Sequence, residues 1–407
     1  MMSKCAGSPP AARGSALPFI ALLLALVTSL ATAQDAQANS WPVAEPASVG
    51  LSPTALSEIH EDVLAGQYGH VDSFLVARQG RIVFEKYYEH DYRDIYRREA
   101  SQPGALVVND LSGPYNYFNA WWHPYYRNSD LHSLQSVTKS VVSAIIGIAI
   151  ARGDFPDLDT PVLSFFDPKT IANVDSRKQR LTLRHLLTMS DGLQWNENVP
   201  YVDPANSFAV MAKTHDWVQF TLDLPMEEDP GLRFNYNSGA TLILGHIFNI
   251  ATGTDIEEYA LEHLFKPLGI ETYFWDRTPY GLADTQEGLY LSTRDLAKIT
   301  QLFLQQGQWG EQEVIPKAWV TESLAPVYSA DNEGKESYGH GWWSGLYTVK
   351  DAERRAYYGK GFGGQRPILL PELDMVIVLT GWNILPEKPF FHADEVIERV
   401  VAAIEDK

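Results

Sequence analysis

Cysteine is almost absent from this chain of 407 residues, since Cys5 is the only one. Disulfides, thiolate metal sites and cysteine nucleophiles are therefore excluded beyond the first few residues. Basic residues are also scarce, with 32 Lys and Arg against 51 Asp and Glu and a formal net charge of −19. Because nucleic-acid binding needs clustered positive charge, we expect no nucleic-acid partner. The eleven histidines show no metal-ligand spacing, so we expect no metal and no cofactor.

Long apolar runs are equally rare, and only one, from Phe19 to Val27, stands out. It follows the positive residues Lys4 and Arg13 and precedes a small-residue triplet that ends at Ala33. This order is typical of a secretory signal peptide, and the run is shorter than the ~20 residues that span a bilayer. A membrane anchor is the competing interpretation. We predict a signal peptide over residues 1–33 and an exported protein, periplasmic or secreted, without stable membrane insertion after cleavage.

Strand patterns occur towards both ends of the remaining chain, and a mainly helical stretch lies between them. Residues 34–50 are rich in Pro and Ala and are interpreted as a linker or N-terminal strap, and residues 51–407 as one domain. Its predicted elements are a helix over 53–64, a hairpin over 73–87, a helical insert over about 154–285, strand-like runs over 339–347, 355–359 and 367–381, and a terminal helix over 395–405.

The leading candidate for chemistry is the tetrapeptide from Ser136 to Lys139, which begins the most apolar predicted helix, ending before Gly153. Residues three apart share a helix face, so Lys139 is expected within reach of the Ser136 hydroxyl. Burial disfavours the charged ammonium and lowers the pKa of a lysine, which would make it a base for the serine. The alternative is a helix cap with a solvated lysine. However, the helix carries no charge from Val141 to Ala151, and a buried lysine without a role would be costly.

Two further segments carry candidate residues. Tyr236 could relay protons if neighbouring cations lowered the pKa of its phenol, and the alternative for it is aromatic packing. The segment Gly359–Gln365 matches G-x-G-x-x-G formally, but a strand and not a helix follows it, which argues against a dinucleotide site. Glycines along a strand instead indicate close approach of a ligand to the backbone.

In combination, Ser136-x-x-Lys139, Tyr236-Asn237-Ser238 and the glycine-rich strand resemble the serine hydrolases of the class C β-lactamase and penicillin-binding group. Three landmark segments agree, at Leu181–Leu193, Leu264–Gly269 and Leu291–Leu296, and the branch is similar to esterases and 6-aminohexanoate-dimer hydrolases. The resemblance extends from about Val49 to the C terminus. It implies an α/β (α+β) fold of the β-lactamase/transpeptidase type: an antiparallel sheet flanked by helices, a helical lobe, and Ser136 at their junction.

The resemblance also implies a mechanism that passes through an acyl-enzyme. In such a mechanism Ser136 attacks the carbonyl carbon, Lys139 and Tyr236 move the proton, and water later releases the acyl group. The oxyanion would be held by the backbone N–H of Ser136 and by one from the glycine-rich strand, at Phe362 beside Gly361.

Two positions depart from the family pattern. Many relatives carry Asn where this chain has Ser238, which places amide recognition of the substrate in doubt. The cation that usually begins the strand motif is replaced by Gly359, and Lys360 follows one residue later, on the opposite side of a strand. We therefore expect a preference for neutral or apolar esters and amides over penicillin-like acids.

The predicted partner is a small-molecule ester or amide. Within the enzyme class, the alternative is a true β-lactamase or D-alanyl-D-alanine peptidase. Outside it, the alternative is a non-catalytic sensor of the penicillin-binding type, although such a protein would be free to lose Ser136, Lys139 or Tyr236. The favoured interpretation of His132, His185 and His340 is structural.

Overall fold

The structure, a computed structural model, describes residues 41–108, 110–331, 333–349, 352–385 and 391–405. The predicted signal peptide over residues 1–33 lies outside these ranges, as do residues 34–40 of the predicted linker. The end of that linker contains a short 3-10 turn at Pro46–Val49.

The described residues contain thirteen strands, and the eight that come from the two ends of the chain form one sheet. They are β1 (Val71–Arg78), β2 (Arg81–Tyr87), β3 (His132–Ser133), β4 (Phe274–Trp275), β5 (Leu289–Leu291), β6 (Gln308–Trp309), β7 (Gln312–Glu313), β8 (Tyr328–Ser329), β9 (Glu336–Tyr338), β10 (Trp343–Val349), β11 (Ala352–Tyr358), β12 (Arg366–Leu370) and β13 (Met375–Gly381). The large sheet has the order β2–β1–β13–β12–β11–β10–β9–β8, and β3–β5–β4 form a small second sheet. All neighbours in the large sheet are antiparallel, as predicted.

Helices cover both faces of the large sheet and build the lobe beside it. They are α1 (Pro53–Leu64), α2 (Tyr92–Ile95), α3 (Thr138–Arg152), α4 (Leu183–Leu187), α5 (Ser207–Met211), α6 (Trp217–Asp223), α7 (Ser238–Thr252), α8 (Ile256–Ala260), α9 (Thr293–Leu304), α10 (Lys317–Leu324) and α11 (Ala393–Ala402). Helices α1 and α11 bury Leu56 and Val400 against one face of the sheet, and α9 packs on the other. Because both faces are covered, β1 is buried from Val71 to Ala77. Within the described ranges, no helix is both long enough and apolar enough to cross a membrane.

The apolar helix of the prediction is α3, and it begins two residues later than the predicted start at Ser136. A 3-10 turn over Gln135–Val137 precedes it, and Gln135 has a φ of 50°. This left-handed residue turns the chain sharply just before Ser136. The 3-10 turn that contains the serine is tighter than a turn of α-helix. The helix is buried on all sides from Thr138 to Ala149, as its lack of charge predicts, and it ends at Gly153 with a φ of 77°.

The strand-like run predicted over 367–381 is two strands. A 3-10 turn over Pro371–Leu373 separates β12 from β13, and Asp374 takes a left-handed φ of 46°. Proline lacks the N–H that a continuous strand would use, so the chain reverses there and the two halves pair with each other.

Candidate active site

The side chains of Ser136 and Lys139 meet at the start of α3. Nζ of Lys139 lies 3.1 Å from Oγ of Ser136 and donates to the backbone carbonyl of Gln286 at 2.9 Å. Lys139 is only 3% exposed, whereas Ser136 is half-buried. Burial lowers the pKa of Lys139, and the carboxylates around it oppose this shift. A buried amine with a lowered pKa is the form that can accept the serine proton.

Tyr236 reaches the same site from the loop before α7. Asn237 caps that helix, since its side chain accepts from the N–H of Ala240, and its amide donates to the buried Asp191 at 3.2 Å. The Tyr236 ring is thereby placed with its centroid 5.1 Å from Nζ of Lys139. The three predicted catalytic side chains, from two distant stretches of chain, thus lie together.

The electrostatics at Tyr236 differ from the expectation that cations lower its pKa. Burial raises the pKa of the phenol, nearby Glu197 raises it further, and a hydrogen bond with Ser136 opposes the shift. The charged groups that shift this pKa are the carboxylates Glu197 and Glu287, and both raise it, so Tyr236 is a neutral phenol. A neutral phenol can pass on a proton by giving one and receiving one, without a resident phenolate.

The glycine-rich segment packs directly against the chain that leads into Ser136. A Cβ added at Gly361 would lie 2.5 Å from the carbonyl oxygen of Leu134, and one at Gly359 would lie 3.0 Å from Val137. These glycines permit the strand end to contact the residues that flank Ser136, namely Leu134 and Val137. The neighbouring Phe362 is therefore brought beside the segment that carries the nucleophile.

The backbone of Phe362 is held by a small hairpin. Gly361 donates to the carbonyl of Gln365, and the Gln365 amide donates to the carbonyls of Phe362 and Gly381 at 2.8 and 2.9 Å. The N–H of Phe362 has no hydrogen-bond partner among the described residues. Its half-exposed ring meets those of Tyr117 and Tyr201 edge to face, which lines the site with aromatic surface.

Ser238, the third residue of the tyrosine motif, is buried and its hydroxyl donates to Glu197 at 2.8 Å. Glu197 also accepts from the N–H of Ser238 and from the indole of Trp195. The hydroxyl of Ser238 therefore already has an acceptor within the protein. Glu197 is not predictable from the sequence, because no local pattern distinguishes it from the acidic residues of the surface.

Two more carboxylates, Asp284 and Glu287, border the site from the loop that precedes β5. Burial raises the pKa of Asp284 to about 6 and that of Glu287 to about 8, and Asp284 adds to the shift of Glu287. The phenol of Tyr117 donates to Glu287 at 2.5 Å. Both carboxylates favour the charged form of Lys139. The site is consequently acidic, a property that the motifs did not indicate.

Lys360 occupies the strand end but is already paired. Its Nζ lies 2.6 Å from a carboxylate oxygen of Glu336 and 4.2 Å from the ring centroid of Trp343. This ammonium is engaged in an ion pair and a cation–π contact. It therefore does not replace the lysine that begins the motif in the family.

A serine, a buried lysine and a tyrosine at the junction of an antiparallel sheet and a helical lobe define a class, the serine hydrolases with the β-lactamase/transpeptidase-like fold. A family model described as Beta-lactamase matches residues 69–400. The chain belongs to that family, which confirms the resemblance inferred from its motifs.

Individual relatives place it beside one branch of the family. The 6-aminohexanoate-dimer hydrolase of Paenarthrobacter ureafaciens is 28% identical over 309 residues, 70% of this chain and 74% of that protein. The monacolin J acid methylbutanoyltransferase of Aspergillus terreus is 30% identical, over 41% of this chain and 46% of that enzyme. The structure of a putative 6-aminohexanoate-dimer hydrolase from Bacillus anthracis matches with a TM-score of 0.62 and 20% identity, covering 89% of this chain and 86% of the other.

Proposed function

We propose that this serine hydrolase cleaves esters or amides through an acyl-enzyme on Ser136. The observation that carries the proposal is the 3.1 Å approach of the buried Lys139 amine to the serine oxygen. The oxygen attacks the carbonyl carbon while its proton passes to Lys139, and the leaving group departs with a proton relayed through Tyr236. Water then attacks the acyl-enzyme, its proton returns to the serine oxygen, and the carboxylic acid leaves.

The developing oxyanion would be stabilised by two backbone donors, the N–H groups of Ser136 and Phe362. Preorganised donors of this kind, aimed at the position where charge develops, are among the largest contributions to acyl transfer. The proposal is supported by the packing of Gly361 on Leu134, which sets the hairpin beside the serine turn.

The missing cation at the strand motif favours neutral acyl groups over anionic ones. The cation of the strand motif is replaced by Gly359, and Lys360 is bound to Glu336. An anionic penicillin would lack the cation that begins this motif in the family. We therefore propose short-chain esters and neutral amides as the substrate class.

A fluorophosphonate probe with mass mapping tests the nucleophile. Ser136 should be labelled, and the label should disappear in Ser136→Ala. Ser143→Ala is the matched control, since Ser143 is a buried serine of the same helix without a hydrogen-bond partner in the described structure. Folded wild-type protein that takes up no label would favour the non-catalytic sensor.

A substrate panel tests the acyl preference. Short-chain p-nitrophenyl esters and the matched anilides should be hydrolysed with higher kcat/KM than a penicillin or a cephalosporin. Efficient β-lactam turnover that exceeds ester turnover would instead support the β-lactamase or D-alanyl-D-alanine peptidase alternative.

Export is the remaining part of the proposal. It rests on the order of positive residues, apolar run and small-residue triplet that ends at Ala33. Expression of the full chain in a Gram-negative host should give a mature N terminus at Gln34 in the periplasm or the medium. An uncleaved chain that stays in the cytoplasm would contradict it.

A further inference from the structure

A buried histidine and aspartate form a pair on the strand that leads to the nucleophile. His132 and Asp72 are both fully buried, and Nε2 of the histidine lies 3.0 Å from Oδ2 of the carboxylate. The other ring nitrogen, Nδ1, lies 2.9 Å from the backbone carbonyl oxygen of Ser133. None of the catalytic steps described above uses either residue.

The partners of the ring decide its protonation. The backbone carbonyl is an acceptor, and Asp72 is one too when its carboxyl is ionised, in which case each ring nitrogen donates a proton. The phenol of Tyr92 also donates to Asp72, at 2.8 Å. With Asp72 ionised, a singly protonated ring would turn one nitrogen lone pair towards an oxygen lone pair, whichever tautomer it adopted. An imidazolium beside a carboxylate satisfies both hydrogen bonds of the ring.

Four tyrosines and one histidine near the pair are neutral at neutral pH. Tyr125 stacks edge to face on His132 at 4.9 Å, and burial raises its pKa and that of Tyr92. Tyr96 and Tyr290, the other phenols near the pair, are shifted in the same direction by burial. Burial lowers the pKa of His123 to about 4, so this ring is uncharged at neutral pH. The charges of the pair are thus balanced by each other.

The pair connects three parts of the active site. Asp72 belongs to β1 of the large sheet, and His132 belongs to β3, only four residues before the nucleophile. Strand β3 pairs with β5, with His132 opposite Leu291. The loop before β5 supplies the Gln286 carbonyl that holds Lys139. A displacement of β3 would therefore move the serine relative to both the sheet and the lysine.

The turn after β3 needs such support because it is strained. Gln135, the residue before the nucleophile, has a φ of 50°, and its amide donates to Oγ of Ser133 at 2.8 Å. Non-glycine residues adopt this conformation at a cost and keep it only where the surroundings dictate it. The hydrogen bond from His132 to the Ser133 carbonyl fixes the residue on which Gln135 is anchored.

We propose that Asp72 and a doubly protonated His132 form a positioning pair that ties β1 to β3 and holds the turn that presents Ser136. The proposal rests on the proposed function, because it assigns the pair to the same nucleophile. The pair touches no reacting atom, and its effect is on the placement of the serine.

Nitrogen-15 spectra of the full-length protein with labelled histidines test the protonation directly. At neutral pH, His132 should show two ring N–H protons that exchange slowly with water, assigned by their absence in His132→Gln. Asp72→Asn should remove one of them. A single ring N–H on His132 in the wild-type protein would overturn the proposal, whatever the enzyme hydrolyses.

Kinetics test the positioning role. In His132→Leu, kcat and the rate of fluorophosphonate labelling should fall by about 10- to 100-fold with KM nearly unchanged, because a misplacement of about 1 Å can cost about 10² in rate. His132→Gln, whose amide can still donate to Asp72, should recover part of the loss. The control is Val76→Ala, a buried truncation in β1 that should lower Tm without changing kcat.

The outcomes separate the two proposals. Wild-type protein whose Ser136 is never labelled would overturn the proposed function and the positioning role together. Labelled wild-type protein with equal kcat in His132→Leu, His132→Gln and Val76→Ala would overturn the positioning role alone. A folding defect in His132→Leu does not decide the matter, because the spectra of the wild-type protein and the kinetics of His132→Gln remain as tests.

Discussion

The contact between Gly361 and Leu134 yields a quantitative prediction. In Gly361→Ala the new Cβ would lie 2.5 Å from the Leu134 carbonyl oxygen and 2.6 Å from Cβ of Gln365. Ordinary van der Waals contact begins at 3.4 Å, so the hairpin and the serine turn must separate by several tenths of an ångström or more. Gly361 is not among the glycines with a positive φ, so its backbone suits alanine. The clash with neighbouring atoms, and not the backbone torsion, therefore opposes the substitution.

The separation should affect activity more than stability. Overpacking of this kind costs about 1–3 kcal/mol of folding free energy. The same shift carries the Phe362 N–H away from the oxyanion, and loss of one such donor typically lowers kcat by about 10²–10³. We expect Gly361→Ala to remain folded while kcat for a short-chain ester falls by about 10².

The assay pairs ester hydrolysis with thermal unfolding. Gly104→Ala is the control, since a Cβ there meets nothing within 4 Å, and it should match the wild type in both measurements. Gly361→Ala with kcat within twofold of the wild type would refute the reasoning, because the hairpin would then not position an oxyanion donor.

Three further predictions follow from the site and its helix. Lys139→Ala should lower the acylation rate by about 10²–10⁴ with the fold retained, and near-normal labelling of Ser136 would remove the lysine from the mechanism. Glu197→Gln removes a carboxylate that favours the protonated amine, so the pKa of Lys139 should fall and the acid limb of kcat/KM should move to lower pH. A limb that stays in place or moves to higher pH would contradict that assignment. Gly147→Ala should lower the unfolding free energy, because its Cβ would lie 2.3 Å from the ring of Trp319 and the clash exceeds the ~1 kcal/mol gain in helix propensity; a raised Tm would contradict this.

Local features of the site were predictable from the sequence, since they depend on short-range geometry. The spacing of Ser136 and Lys139 is set by one helical turn, and the antiparallel hairpin of β1 and β2 follows from alternation around Gln79 and Gly80. The two-strand structure of 367–381 was missed, although Pro371 marks the break in the sequence.

The acidic character of the site could not be predicted in the same way. Glu197 and Glu287 approach Lys139 only because the lobe and the small sheet pack around α3, and no pattern near either residue indicates that contact. For the same reason the direction of the Tyr236 pKa shift was not foreseen, because it depends first on burial in the folded protein and then on those distant carboxylates. Asp72 and His132 likewise lie 60 residues apart in the sequence.

The last strand in the sequence, β13, is not at an edge of the large sheet but lies between β1 and β12. Val71 pairs with Gly381, far along the polypeptide, so the sheet can close only after synthesis of the C-terminal region. Gly381 also accepts the amide of Gln365 that steadies the Phe362 backbone. We therefore expect premature termination ahead of Met375 to abolish catalysis, although every residue that carries out chemistry would still be present in the truncated chain.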